Sequence, residues 1–176
     1  EAKRLGLIPK LHADQLSAFG ASELGAKLNA VSVDHLEMMT DGAIDAVKQS
    51  STIATVLPGA SFFLNHPYAP ARKIIDAGIP LALATDFNPG SSMGYSMQMM
   101  MTIACTQMKM TPEEAVTAAT LNGAAALGMS HEVGSIEIGK QADVVVYSVK
   151  DYRTIAYHYG VNHAKKIIKN GVLLDF

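Results

Sequence analysis

Four short apolar runs, each trailed by a helical or loop segment, fill roughly the first ninety residues and leave few folds open. They read LIPKLHA (7–13), AVSVDHL (30–36), TIATVLPG (52–59) and IPLALATD (79–86). Between them, GASELGAKLN (20–29), TDGAIDAVKQS (40–50) and APARKIIDAG (69–78) carry helical patterns, with Thr40 as an N-cap and Gly78 as a stop. A loop is expected between Gly59 and the last of these helices. Such alternation marks a parallel sheet, because parallel neighbours need a crossover between them. The fourth run is apolar throughout, as suits a strand buried on both faces.

The expected class is therefore α/β. Four βα units amount to the C-terminal half of an eight-stranded (β/α)8 barrel of the TIM type. In such barrels the chemistry gathers at the C-terminal ends of the strands. His12, His35, Pro58 and Asp86 fall at or near those ends. An ionised acid at a barrel mouth is costly unless it is paired or metal-bound, and imidazole is a common metal ligand. A single histidine at a strand end is ordinary, but three titratable groups at the ends of three strands form a candidate constellation. Behind Asp86, DFNPGSS offers the amide of Asn88, the bare backbone of Gly90 and the hydroxyls of Ser91 and Ser92. Asn-Pro-Gly is also plain turn chemistry, so a turn and a substrate-binding loop both remain open for this stretch.

Beyond Asp86 the pattern changes. MGYSMQMMMTIACTQM (93–108) has helical spacing, and its stripe of Met93, Met97, Met100, Met101 and Met108 reads as core or interface. TPEEAVTAATLNGAAALG (111–128) opens with a capping box from Thr111 to Glu114 and Pro112 at the first helical position. A turn-rich segment then leads into the strand of QADVVVYSV, and AKKIIKNGVLLDF (164–176) reads as a hairpin turning at Asn170-Gly171. The expected division is residues 1–130 for barrel strands five to eight with their helices and 131–176 for part of a small β-sandwich subdomain. His66 reads as a solvent-facing loop residue, while His131, His158 and His163 receive no role.

Composition closes off other classes. A net charge of −2 without a basic stripe argues against nucleic acid. No apolar run nears the roughly 18 residues that span a membrane. The lone Cys105 rules out an internal disulfide framework and fits a reducing cytoplasm. At 176 residues, with 49% apolar content, the chain can build one core or be a piece of something larger, and its start at EAKRLGLIPK suggests entry in mid-helix.

KLHADQLS (10–17), SVDHL (32–36) and ATDFNPGSS (84–92) resemble rim segments of the metal-dependent amidohydrolase superfamily, and within it those of the imidazolonepropionase family. ATLNGAAALGM (119–129) with GSIEIGKQADVVV (134–146) is similar to the common tail of that superfamily. The resemblance implies hydrolysis of the cyclic amide C–N bond of 4-imidazolone-5-propanoate to N-formimidoyl-L-glutamate, with one zinc or iron ion as cofactor. It makes His12 and Asp86 metal ligands and Asp86 a general base and then acid. It makes His35 a hydrogen-bonding partner of the substrate carbonyl or of the attacking water. Gln15, Asn88, Gly90 and Ser91 become substrate-binding, although Gln15 stands where some relatives have glutamate and cannot titrate. The family's His-x-His ligand pair is absent. The resemblance therefore implies the C-terminal part of a longer, cytoplasmic, homodimeric enzyme whose partners are a small-molecule substrate and its own N-terminal half. Another ring amidohydrolase, an aminohydrolase of purines or cytosine, and an inactive fragment are the alternatives.

Overall fold

The computed structural model describes residues 1 and 3–174. Beyond a short 3-10 turn at Lys3–Leu5, its first part is four βα units. Strands β1 (Lys10–Ala13), β2 (Ser32–His35), β3 (Ile53–Val56) and β4 (Leu81–Leu83) form one parallel sheet in the order β1-β2-β3-β4. Helices α1 (Ala21–Lys27), α2 (Asp41–Lys48), α3 (Pro58–Leu64) and α4 (Ala71–Asp76) connect them. After β4 come α5 (Met97–Gln107), α6 (Pro112–Ala119) and α7 (Leu121–Ala126). Strands β5 (Val144–Tyr147), β6 (Ala164–Lys169) and β7 (Val172–Leu174), with α8 (Arg153–Tyr157) between β5 and β6, make a separate three-stranded antiparallel sheet. A single three-stranded sheet is seen in this tail among the described residues.

Local chemistry sets most boundaries. Thr40 accepts from Ala43 N at 3.1 Å and starts α2, and Ser96 does the same for α5 through Met99 N. The capping box at Thr111 is complete, with both reciprocal bonds present. At the hairpin, Asn170 and Gly171 have φ of +52° and +77°, the pair of left-handed residues that a type I′ turn requires. Residues 175 and 176, the end of the expected hairpin, lie outside the described residues.

One segment differs from expectation. The loop expected after the third strand is helix α3, which Pro58 opens at its first turn. Its missing N–H costs nothing there, and its fixed φ suits a helix start. The stretch 111–128, read only as opening with a capping box, holds two helices, because Thr120 leaves helical geometry at φ −123° and ψ −85°.

Alternation along the strands assigns the two faces of the parallel sheet. Val33, Ala54, Val56, Leu81 and Leu83 are buried with Ile44 and Val47 of α2, Ile74 of α4 and Met100 and Ile103 of α5. Gly25 lets α1 lie close on β2, where a Cβ would come within 2.3 Å of Val33 Cγ1. The opposite face carries His12, Asp34, Thr55 and Ala82, aligned in one row by the strand register. Of the methionine stripe, Met100, Met101 and Met108 are buried and Met97 packs against them, while Met93 is exposed. No helix among the described residues is long and apolar enough to cross a membrane.

Candidate active site at the sheet mouth

The face that carries Asp34 and Thr55 opens on a cavity of about 900 Å³. Asp34, Thr55, Ala82, Ala84 and Asp86 line it from the sheet and its strand ends, and Tyr95, Leu127 and Tyr147 line it as well. Low on this face, Lys10 Nζ donates to Asp34 Oδ1 at 3.0 Å, and Ser32 Oγ donates to the same oxygen at 2.8 Å. These groups satisfy one another and present little free chemistry.

At the C-terminal ends of the strands three side chains meet. The rings of His12 and His35 stack with centroids 4.2 Å apart. His35 Nε2 stands 3.8 Å from Asp86 Oδ2. His12 is exposed, whereas the His35 side chain is only 5% exposed and that of Asp86 24%. The three residues expected to act together are therefore contiguous, with His35 in the middle.

The loop behind Asp86 is held by its own side chains. Asn88 Nδ2 donates to Asp86 O at 2.7 Å and to Ser91 Oγ at 2.9 Å. Its Oδ1 accepts from Gly90 N at 2.8 Å and Ser91 N at 2.9 Å. Asn88 thus spends its amide inside the turn, and a direct substrate contact would require it to release one of these bonds. Ser91 Oγ lies 3.4 Å from Asp86 Oδ2. Asp86 itself has φ +52°, a left-handed backbone at the start of this loop. Gly59 allows the start of α3 to approach this loop, since a Cβ there would fall 2.7 Å from Ser92 Oγ. Gln15 is half-buried in the loop before α1 and makes no hydrogen bond with His12, His35 or Asp86 among the described residues. His66 is exposed, as expected of a loop histidine.

Two carboxylates escaped the sequence reading. Asp14, in the same HAD segment as His12, is buried and accepts from Phe19 N, Ala21 N, Ser22 N and Ser22 Oγ at 2.5–3.3 Å. It anchors the start of α1 and thereby the loop that carries His12. The side chain of Glu37 is buried beside His35, with Oε1 3.4 Å from His35 Nδ1 and 3.2 Å from Ser61 Oγ. Its spacing two residues after His35 was the available sign.

His12 offers a ring nitrogen and Asp86 a carboxylate oxygen to one mouth, a donor pair suited to zinc or iron. Among the described residues no group of three or more His, Cys, Asp and Glu side chains is arranged to hold a metal ion.

A parallel βα sheet with His and Asp at the C-terminal ends of its strands has the layout of a TIM-type barrel, whose chemistry gathers at that rim. The chain belongs to the amidohydrolase family, whose model matches residues 14–174. It is 49% identical to the imidazolonepropionase of Geobacillus sp. (strain WCH70) over 169 residues, which are 96% of this chain and 40% of that protein. It is 51% identical to the imidazolonepropionase of Parabacteroides distasonis over 164 residues, 93% of this chain and 39% of that one. The chain thus spans about two-fifths of the length of the curated relatives it matches. Among solved structures, a zinc-bound adenosine deaminase from Xanthomonas campestris superposes with a TM-score of 0.83 at 22% identity, covering 98% of this chain and 46% of that one. The guanine deaminase of E. coli gives 0.70 at 19% identity, covering 82% of this chain and 38% of that one. These likenesses establish the fold: the four-stranded sheet is part of a TIM-type barrel of the amidohydrolase kind.

Proposed function

We propose that this chain is the C-terminal part of an imidazolonepropionase, which hydrolyses the ring amide of 4-imidazolone-5-propanoate to N-formimidoyl-L-glutamate in histidine degradation. The observation that carries the reading is the meeting of His12, His35 and Asp86 at one mouth. It occurs in a chain about half identical to imidazolonepropionases.

His12 and Asp86 would hold a zinc or iron ion together with ligands from outside these 176 residues. A bound ion of this kind supplies a Lewis acid and lowers the pKa of water to about 7. The chain's own groups do the rest. Asp86 Oδ2 accepts the proton of the attacking water and returns it to the ring nitrogen as the C–N bond breaks, so the elements of water add across that bond. Ser91 Oγ, 3.4 Å from that oxygen, steadies the carboxylate. His35 Nε2 hydrogen-bonds either the substrate carbonyl or the attacking water, groups whose charge changes most in the reaction. Asn88 keeps the loop in shape, and the Gln15 amide remains a neutral contact for the ring.

The test is a chimera in which this chain replaces the matched 169 residues of the Geobacillus relative. Turnover of imidazolone propionate above that of adenosine, guanine and cytosine is the expected result. A soluble chimera that binds metal yet ignores imidazolone propionate ends the reading.

A further inference from the structure

Strand β2 ends in a strained turn. His35 has φ +89° and Leu36 φ +74°, two successive non-glycine residues in a region that side chains rarely adopt. Leu36 is wholly buried, and its N–H donates to Ala13 O at 3.1 Å while Met38 N donates to Asp14 O at 2.8 Å. Those bonds tie the turn to the end of β1. Its effect is to carry Glu37 back onto His35. The Glu37 side chain is 4% exposed, and Oε1 reaches both His35 Nδ1 and Ser61 Oγ while Oε2 is buried without a partner. Burying a carboxylate is costly, and strained backbone persists only where its surroundings over-determine it. Both costs fall on one contact.

We infer that Glu37 is a positioning residue for His35: its carboxylate accepts from Nδ1–H, fixes that tautomer and turns Nε2 toward Asp86. The inference deepens the reading of His35 given above and rests on it. In a neutral imidazole, the bond made by one nitrogen sets the role of the other. Nε2 is then an acceptor. Asp86 Oδ2 is an acceptor as well, and 3.8 Å is too long for a hydrogen bond between them. The two therefore face a shared donor, which among the reacting groups is the attacking water and not the carbonyl oxygen. Ser61 Oγ, donating to the same Glu37 oxygen, holds the carboxylate in place from α3.

Long-range proton–nitrogen NMR of the 176-residue chain, labelled with nitrogen-15 histidine at pH 8, reads the tautomer directly. The His35 signal is assigned by its loss in His35→Gln. We expect Nδ1 protonated and Nε2 bare in the wild-type chain and in Glu37→Gln, whose amide oxygen still accepts. Glu37→Ala is expected to show a mixture of tautomers. A wild-type His35 carrying its proton on Nε2 overturns the inference, as does a Glu37→Ala spectrum identical to wild type. If Glu37→Ala does not fold, the wild-type tautomer alone decides. In the chimera, Glu37→Ala is expected to lower kcat about 100-fold with KM within about twofold, and Glu37→Gln to restore most of the loss. A rise in KM alone counts against positioning. A wild-type chimera without turnover removes the functional reading and leaves the tautomer measurement standing.

Discussion

His35 Nε2 and Asp86 Oδ2 stand 3.8 Å apart although they come from the ends of β2 and β4, which are not neighbours in the sheet. Strands two places apart are separated by about 9.6 Å, twice the usual spacing. Side chains close that gap together with the backbone at the strand ends, where His35 and Asp86 both have positive φ. Strand β3 lies between them in the sheet, and just past its end Pro58 turns the chain into α3.

Asp86→Asn in the chimera removes the group assigned to proton transfer while keeping its size. We expect kcat/KM to fall by well over tenfold. Retention of more than about a tenth of activity corresponds to a barrier change below about 1.4 kcal/mol, too small for that role.

His12→Ala in the same chimera takes away one of the three or four protein ligands that such a site needs. Elemental analysis of the purified variant should show metal well below one equivalent. A full complement would make His12 a packing residue for the His35 ring.

The 176-residue chain on its own should bind zinc weakly and hydrolyse nothing. Its described residues hold no cluster of three or more candidate ligands. Equilibrium dialysis against zinc measures this. Stoichiometric binding at micromolar or tighter affinity, with turnover, would show that His35 or His66 completes the site.

Asp14→Ala strips the acceptor from three backbone N–H groups and one hydroxyl at the start of α1. Hydrogen bonds to a charged group contribute about 1.5–3 kcal/mol, so a stability loss on the order of 3 kcal/mol is expected. Urea unfolding followed by circular dichroism reads it, and a loss under about 1 kcal/mol would show that the loop re-forms its bonds elsewhere.

Arg72 donates to both carboxylate oxygens of Glu114 at 2.9 Å, and this bond holds the Glu114 carboxyl below its ordinary range. A depressed acid adds stability above its unfolded pKa and loses it as pH falls through the folded value. Arg72→Met should therefore lower the urea midpoint at pH 7, with the difference shrinking toward pH 3. A difference that is constant with pH would assign the effect to lost packing of the arginine stem.

Much of the fold was legible because its signals are local. Apolar runs of strand length, Thr40 and the Thr111–Glu114 box are set by residues within a few positions of each other. The break at Thr120 was not legible, since nothing in TLNGAAAL forbids a continuous helix. At that point Asn122 Nδ2 donates to Leu81 O at 2.9 Å, a contact with a strand about forty residues away that no local pattern encodes. The rim positions of His12, His35 and Asp86 could be read from strand ends, because a parallel barrel presents its chemistry there.

By itself the sequence determined a parallel βα architecture and the residue types at its mouth, through periodicity and strand ends. Only the tertiary structure decided what those residues face. It turned Asp14 away from the mouth into α1, spent the amide of Asn88 on its own loop, and brought Glu37 onto Nδ1 of His35. Backbone reversals accompany these outcomes: Asp14, His35, Leu36 and Asp86 all have positive φ. L side chains adopt that region only when surrounding contacts compensate the strain, so the reversal belongs to the packed fold and not to the local sequence.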